Sequence, residues 1–404
     1  MTTGPRPMLD AGVPDGTVAH AVALLEGAAD ALRALSRAPA RVTVDVEAVA
    51  AHVLLPAVLA AHHGEPGWPR PATPRRAPGD GHLAADLGAP GDDESYELLL
   101  STLPADADAG QVERAAQLWR LPVVAYRPPA AGGRRRRAGG ARPGGPGTRR
   151  EAPSWWLAGD ATVAPLRGVR VVDLTAMWAG PLATWSLATL GAEVTKVEPA
   201  VRPDGLRGQP HLFAALDRGK AHVDLDLRRD ADMAELAARI AAADVVVDSF
   251  SPRVMPNLGL DPATLADLRP GLVSVAIPAF PAGSPQRSWV AYGTGVHAFC
   301  GLGRLPGSGV AAPAVTYPDP LGGFAALAAV LRGLAAARQP GAGAVHLEAP
   351  LVNAVAPLAA RPGGTGLLRP VEPVAEELAT RLAARGFFDA EGLPRSPLVV
   401  EGPG

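Results

Sequence analysis

The 404-residue chain is short of several things, and each shortage excludes something. It has one cysteine, Cys300, so no internal disulfide can form, and a reduced, cytoplasmic setting is expected. Aromatic residues make up 4% of the chain, so its cores must be built from alanine, leucine and valine. No run of eighteen or more apolar residues goes unbroken, which argues against a membrane span. The first residues lack a basic segment followed by an apolar run, so no signal peptide is expected. A net charge of −2 gives no footprint for nucleic acid or a membrane surface. Lysine is scarce too: of 38 basic residues, only Lys196 and Lys220 are lysines. Where arginine fills nearly every basic position, a lysine marks either a site that wants a compact ammonium or chance. Nucleotide-binding glycine loops are missing as well. The stretch Asp173-Leu174-Thr175-Ala176-Met177-Trp178-Ala179-Gly180-Pro181 is no G-x-G-x-x-G fingerprint, and there is no Walker loop. Without those glycines a backbone cannot approach a pyrophosphate closely, which argues against a nicotinamide or P-loop enzyme.

What is present is ample apolar material, 48% of residues, in a chain long enough for two or three domains. Residues 1–18 read as a loose tail. Residues 19–128 read as an N-terminal α/β region. It has an amphipathic helix over 18–37, a strand over 41–46 and a helix running to His62. Two more helices and a closing strand, PVVAYRP, follow. Residues 129–152 hold glycine, proline and a run of arginines with no apolar periodicity and no interleaved aromatics, so they read as a tether rather than a phosphate or RNA patch. A large domain follows over 153–360, then a short C-terminal segment, 361–404.

In the large domain, RVVDL, EVTKV, AHVDLDL, DVVVDSF and LVSVAI alternate with helical segments. Strands separated by helices predict a parallel sheet covered on both faces. Ligands of such sheets lie beyond the carboxyl ends of the strands, so the loops after Thr175, Glu198, Phe250 and Phe280 are the places to look. An internal echo links residues 40–60 with 343–360, each a short strand followed by an alanine-rich helix containing proline.

Five blocks of the large domain, in order, resemble the family III CoA-transferases, also called the CaiB/BaiF family. They are RGVRVVDLTAMWAGPLATWSLATLGAEVTKVEP, ALDRGKAHVDLDL, ADVVVDSFSPRVMPNLGL, LRPGLVSVAIPAFPAGSP and PDPLGGFAALAAVLRGLAAAR. The resemblance covers about residues 165–355. Residues 40–128 resemble the portion that normally follows the family's large domain, and the tail faintly resembles its C-terminal segment. Together these imply an α/β protein: a Rossmann-like large domain with a parallel sheet but no dinucleotide fingerprint, plus a smaller α+β domain built from N- and C-terminal segments.

The resemblance also implies chemistry. Family members move coenzyme A from an acyl-CoA to a carboxylic acid, through an aspartyl mixed anhydride and an aspartyl-CoA thioester, with no permanently bound cofactor. Asp319 stands where the family carries that aspartate. From its sequence position alone, at the start of a long apolar helix over 321–334, it reads first as a helix cap and only second as an anion favoured by the helix N-terminus. Gly322 and Gly323 would leave room for a substrate. The resemblance gives CoA contacts to Arg218 and Lys220 and to Ala179 and Gly180 in the A-G-P turn, and for Lys196 and Glu198 a CoA contact and a structural ion pair stand equally open. Trp178 suits either stacking on an adenine or packing in the core. Arg202 and Arg207 are further candidates. An interlocked homodimer is the family's habit, with the N-terminal region completing the site in cis or in trans.

The departures are specific. The family's N-R-G-K reads Asp217-Arg218-Gly219-Lys220, and F-R-P-G reads Phe250-Ser251-Pro252-Arg253, which moves the arginine to Arg253. The position of the racemases' catalytic histidine reads Ala291-Tyr292-Gly293, and His297, four residues beyond Gly293, reads as a packed histidine. An acyl-CoA racemase is therefore the second reading, and a non-catalytic binding or scaffold protein the third. Cys300 reads as buried and inert, Trp155 and Trp156 as a staple for the linker, and the nine histidines show no metal-ligand spacing.

Overall fold

The computed structural model describes residues 16–35, 41–68, 71–128, 164–199, 201, 203–304, 309–359 and 371–401. The linker over 129–152, Trp155, Trp156, Arg202 and nearly all of the expected tail lie outside the described residues.

The first amphipathic pattern forms α1 (Thr17–Leu35). Its Ala21, Leu25, Ala28, Leu32 and Leu35 recur at helical spacing and are buried. After β1 (Arg41–Val44), Asp45 caps α2 (Val46–Val53) by accepting from the backbone N–H groups of Glu47 and Ala48. The single helix expected up to His62 is two helices: α2 meets α3 (Leu55–His63) at a 93° bend. Pro56 sits in the first turn of α3, where its missing N–H breaks the continuous hydrogen-bond ladder. The strands β2 (Arg75–Arg76), β3 (His82–Ala85) and β4 (Val123–Ala125) form an antiparallel sheet in that order. The helices α4 (Asp92–Ser101) and α5 (Ala109–Leu118) cover it through a small core of Leu83, Tyr96, Leu99, Val112, Ala116 and Val123.

The large domain runs β5 (Arg170–Leu174), α6 (Ala179–Thr189), β6 (Glu193–Val197), α7 (Pro210–Asp217), β7 (Lys220–Val223), α8 (Asp230–Ala241) and β8 (Val245–Asp248). It continues through α9 (Val254–Asn257), α10 (Pro262–Leu268), β9 (Val273–Ala276), α11 (Gly293–Phe299), α12 (Pro318–Ala337), β10 (Val345–Glu348) and α13 (Leu351–Ala359). Its six strands pair in the order β10-β9-β8-β5-β6-β7, all parallel, which is the mixed α/β architecture that the alternation predicts. Two features depart from the sequence reading. The helix after β5 starts at Ala179, so A-G-P is its first turn and not a loop. The stretch after β6, read as loop, contains a 3₁₀ turn at Gly205–Gly208 and then α7, which Pro210 opens.

By length and composition α12 would suit a membrane, but most of its apolar window is buried inside the fold. Leu321, Phe324, Leu327, Leu331 and Leu334 pack it against α1, α6, α13 and the sheet. The chain closes with α14 (Glu372–Ala384), which packs on α3, and β11 (Leu398–Glu401). N- and C-terminal segments meet: β11 pairs antiparallel with β1, Val42 opposite Val400, and Arg385 forms a 2.9 Å ion pair with the cap residue Asp45. The internal echo is real at the level of strand then helix, but its two copies sit differently. β1 belongs to this two-stranded ribbon, whereas β10 is an edge of the parallel sheet.

Candidate active site

The strand order reverses direction at β5. The chain moves outward through β6 and β7 on one side and through β8, β9 and β10 on the other. The loops after β5 and β8 therefore part at their carboxyl ends and leave a crevice, the usual ligand position in such sheets. Ser249 bridges the parting, its hydroxyl oxygen accepting from the Ala176 N–H at 3.1 Å. Met177, next in the loop, holds φ +67°, a left-handed backbone that a non-glycine residue adopts at a cost.

Both lysines brace this loop from inside the protein. The Lys220 ammonium is fully buried and donates to Asp173 Oδ2 at 2.9 Å, Thr184 Oγ1 at 2.8 Å and the Pro181 carbonyl at 3.3 Å. That uses all three of its N–H donors. Lys196 donates to the Thr175 carbonyl at 2.8 Å and to Asp204 at 2.9 Å, and Asp204 in turn accepts from the Met177 and Leu206 N–H groups. Glu198 accepts from the Asp204 N–H and from both arms of Arg207. The phosphate contact expected of Lys220 is therefore corrected, and Lys196 and Glu198 follow the ion-pair reading: these groups are spent within the protein and fix the crevice wall. Burial pushes Asp173 upward, but Lys220, Lys196, Thr175 and Thr184 outweigh it and hold the carboxyl below its ordinary range.

The remaining expected contacts divide. Arg218 pairs with Asp389 of the C-terminal segment. Trp178 is 6% exposed and packs in the main core, which decides against adenine stacking. Ala179 and Gly180 are buried helix residues. A Cβ at Gly180 would lie 2.3 Å from the Thr175 Cβ, so glycine lets α6 seat on the loop. Arg253 is exposed on the loop after β8.

Asp319 lies in the first turn of α12, and Tyr317, not Asp319, occupies the cap position. The turn after it packs on the start of α6. A Cβ at Gly323 would stand 2.7 Å from the Ala179 carbonyl oxygen, and one at Gly322 would stand 2.3 Å from Leu351. These glycines make room for helices rather than for a substrate, and the close seating puts the turn of α12 that follows Asp319 against Ala179 of the A-G-P turn. A third glycine faces the carboxylate itself. A Cβ at Gly293 would be 2.0 Å from Asp319 Oδ2. The carboxylate thus lies against bare backbone, where no ordinary side chain fits.

Burial pushes the Asp319 carboxyl up to about 7, a hydrogen bond from Thr316 opposes the rise, and the charge of Asp86 adds to it. The lowering expected from the helix N-terminus is outweighed, because one or two helix N–H groups cannot replace lost water. Asp86 follows β3, in the N-terminal region. Its own carboxyl is pushed up by burial and hydrogen-bonded by Thr294, the neighbour of Gly293. Two consecutive residues of α11 therefore touch two carboxyl groups from distant parts of the chain. Sequence reasoning pointed to Asp319 and not to the residues around it, Asp86, Gly293, Thr294 and Thr316. Burial also pushes Asp248, at the end of β8, up to about 7, whereas His297 and Cys300 are quiet. His297 is buried, pushed down to about 3 and so neutral, with its ring 5.7 Å from that of Tyr317. The half-buried Cys300 thiol is pushed up to about 12, which keeps it protonated.

A half-buried carboxylate pushed up to about 7 can act as a nucleophile toward an acyl group. The family model for CoA-transferase family III matches residues 166–390. The chain is 37% identical over 128 residues to the CoA-transferase/lyase DddD of Marinomonas sp., covering 31% of this chain and 15% of that protein. It is 33% identical over 145 residues to the acetyl-CoA:oxalate CoA-transferase of Acetobacter aceti, covering 34% and 37% respectively. A crystal structure of a CaiB/BaiF family protein from Brucella suis superposes with a TM-score of 0.45 at 26% identity, covering 48% of this chain and 55% of that one. The chain spans less than half the length of these two curated relatives. With more than half of its residues inside the family model, the chain belongs to the family III CoA-transferases.

Proposed function

We propose that this protein transfers coenzyme A from an acyl-CoA to a carboxylic acid, with Asp319 as the nucleophile. The observation that carries the reading is the setting of Asp319: half-buried in the first turn of α12, one turn before the glycine that seats on Ala179, with its carboxylate against the bare Cα of Gly293. The Asp319 carboxylate attacks the thioester carbonyl, the C–S bond breaks, and CoA leaves as thiolate with a mixed anhydride behind it. The thiolate attacks the aspartyl carbonyl of the anhydride, which expels the donor acid as carboxylate and leaves an aspartyl-CoA thioester. The acceptor carboxylate attacks that thioester and releases CoA thiolate, which then takes the acyl group from the new anhydride and frees Asp319. No net proton is consumed, and each hard exchange is split into easier ones. The racemase reading is disfavoured because His297 is neutral, buried and committed to the core beside Tyr317.

The test is intact-protein mass after mixing with a panel of acyl-CoAs, half of each sample treated with hydroxylamine. A hydroxylamine-sensitive adduct of acyl or CoA mass that is absent from Asp319→Ala is expected. Failure to see any adduct, together with no detectable CoA binding, would sink the reading.

Gly293 gives a second check. A methyl at this position would stand 2.0 Å from Asp319 Oδ2 and 2.9 Å from the Thr316 Cβ, so the carboxylate must swing away. Gly293→Ala is expected to lower kcat by about 10²-fold, the scale set by misplacing a reacting group by roughly 1 Å. The circular dichroism spectrum should be unchanged. A variant with wild-type kcat would show that the nucleophile does not need this contact.

A further inference from the structure

Four histidines gather where the N-terminal region, the large domain and the C-terminal segment meet. His52 of α2 is fully buried, stacked on Trp185 of α6 with ring centroids 5.3 Å apart, and meets Phe387 edge-on at 5.8 Å. His62, near the end of α3, stacks on Phe388 at 3.7 Å. His63 beside it stacks on His211 of α7 at 3.9 Å, with the ring planes 17° apart. The turn that follows α14 rests on these rings. A Cβ at Gly392 would stand 2.6 Å from the His63 ring and 3.3 Å from His62 Nε2, so glycine lets the turn close over them.

The geometry suits neutral rings. His52 Nδ1 donates to the Ala48 carbonyl at 2.7 Å, so it carries the ring's proton, and Nε2 is buried without a partner. A second proton would go onto that nitrogen, where nothing accepts from it. Two imidazoles stacked face to face repel when both are charged, and His62 stands 5.1 Å from His63 as a third. Glu65 lies 2.9 Å from His211 Nε2, both of them exposed to solvent. The other charges on the neighbouring elements are engaged or exposed. Asp389 pairs with Arg218, Asp217 with His222, Arg381 with Glu47 and Glu377, and Arg385 with Asp45 and Glu47. Glu376, Glu391 and Arg395 are exposed.

Burial pushes His52 down to about 4 and His62 below its ordinary value. Burial, His211 and His62 push His63 down, against Glu65 and a hydrogen bond with the Gly392 backbone. Rings held below the ordinary 6.5 take up protons more readily once undocked, so docking is favoured above about 6.5 and weakens as the pH falls.

We infer that His52, His62, His63 and His211 form an acid-released latch: the turn over residues 386–395 is closed on α3 and α7 at neutral pH and is freed when the rings take up protons. Release also gives up the Arg218–Asp389 pair, two residues from the Lys220 that braces the crevice wall. The latch does not depend on the reaction catalysed.

The test is hydrogen exchange by mass spectrometry on the full chain at pH 7, 6 and 5, corrected for the intrinsic pH dependence of exchange. Opening of residues 386–395 should rise about tenfold between pH 6 and pH 5, the slope of one proton taken up on opening, while amides of β8 keep their protection. In His52→Gln/His63→Gln the opening should be the same at all three pH values. The carboxylate pairs remain in that variant, so any titration of theirs is subtracted. Opening of the wild-type turn that stays within about twofold from pH 7 to pH 5 would overturn the latch. So would a loss of protection shared equally by β8, or a variant that keeps the wild-type pH dependence. Should the double variant fail to fold, the wild-type comparison of the turn with β8 still decides.

Discussion

Asp319→Asn should slow CoA transfer by at least about 10³-fold, because the amide keeps the shape of the carboxylate and cannot form either covalent intermediate. The same residue should set the pH dependence. Its carboxyl is held at about 7 by burial, against Thr316 and with help from Asp86. Only the ionised form attacks. kcat/KM should therefore rise with pH, about tenfold per unit, until it levels above about 7, since a group half a unit or more below its pKa is mostly protonated. Asp86→Asn removes the neighbouring negative charge and should move that inflection to lower pH, with the protein still folded. A profile that is flat from pH 5 to 8, in wild type and variant alike, would mean that Asp319 is not the titrating nucleophile. The combination separates chemistry from architecture, because a merely structural aspartate would change stability and leave the inflection where it was.

Much of this was legible in the sequence, for physical reasons that differ by element. Valine-rich strands such as RVVDL and DVVVDSF, set between helical segments, could only be the buried strands of a parallel sheet. Asp319 was legible because it sits in a long ordered run of family blocks. Lys220 was misread. Rarity in an arginine-rich chain says that an ammonium is wanted, but not whether it meets a ligand or a buried carboxylate. A clue was available: Asp173 is a charge inside a valine strand, and a charge there requires a partner. The pairing of Asp173 with Lys220 spans 47 positions, which no local pattern encodes. Asp86 and Thr294 were invisible for the same reason. They act across the contact between the N-terminal unit and the large domain, and the sequence of each side carries no mark of the other.

Lys220 decides between those two meanings of a rare lysine. Its ammonium and the Asp173 carboxylate are both fully buried, 2.9 Å apart. Lys220→Met keeps most of the stem's volume and strands Asp173 without its nearest counter-charge. Breaking a buried pair from one side costs about 3–5 kcal/mol, far more than an exposed pair is worth. A large fall in the denaturation midpoint is therefore expected. Asp173→Asn/Lys220→Met, which removes both charges, should recover a good part of it. Because the pair holds Asp173 below the ordinary carboxylate range, its contribution is present above the unfolded group's 3.8 and fades as the pH falls through the folded value. The wild type's advantage over the double variant should therefore shrink in acid. A phosphate-binding lysine would behave in the opposite way: Lys220→Met would weaken CoA binding and leave the midpoint untouched. Since Lys220 also holds Thr184 and the Pro181 carbonyl at the start of α6, the stability loss should bring lower activity with it, through the wall of the crevice rather than through the ligand.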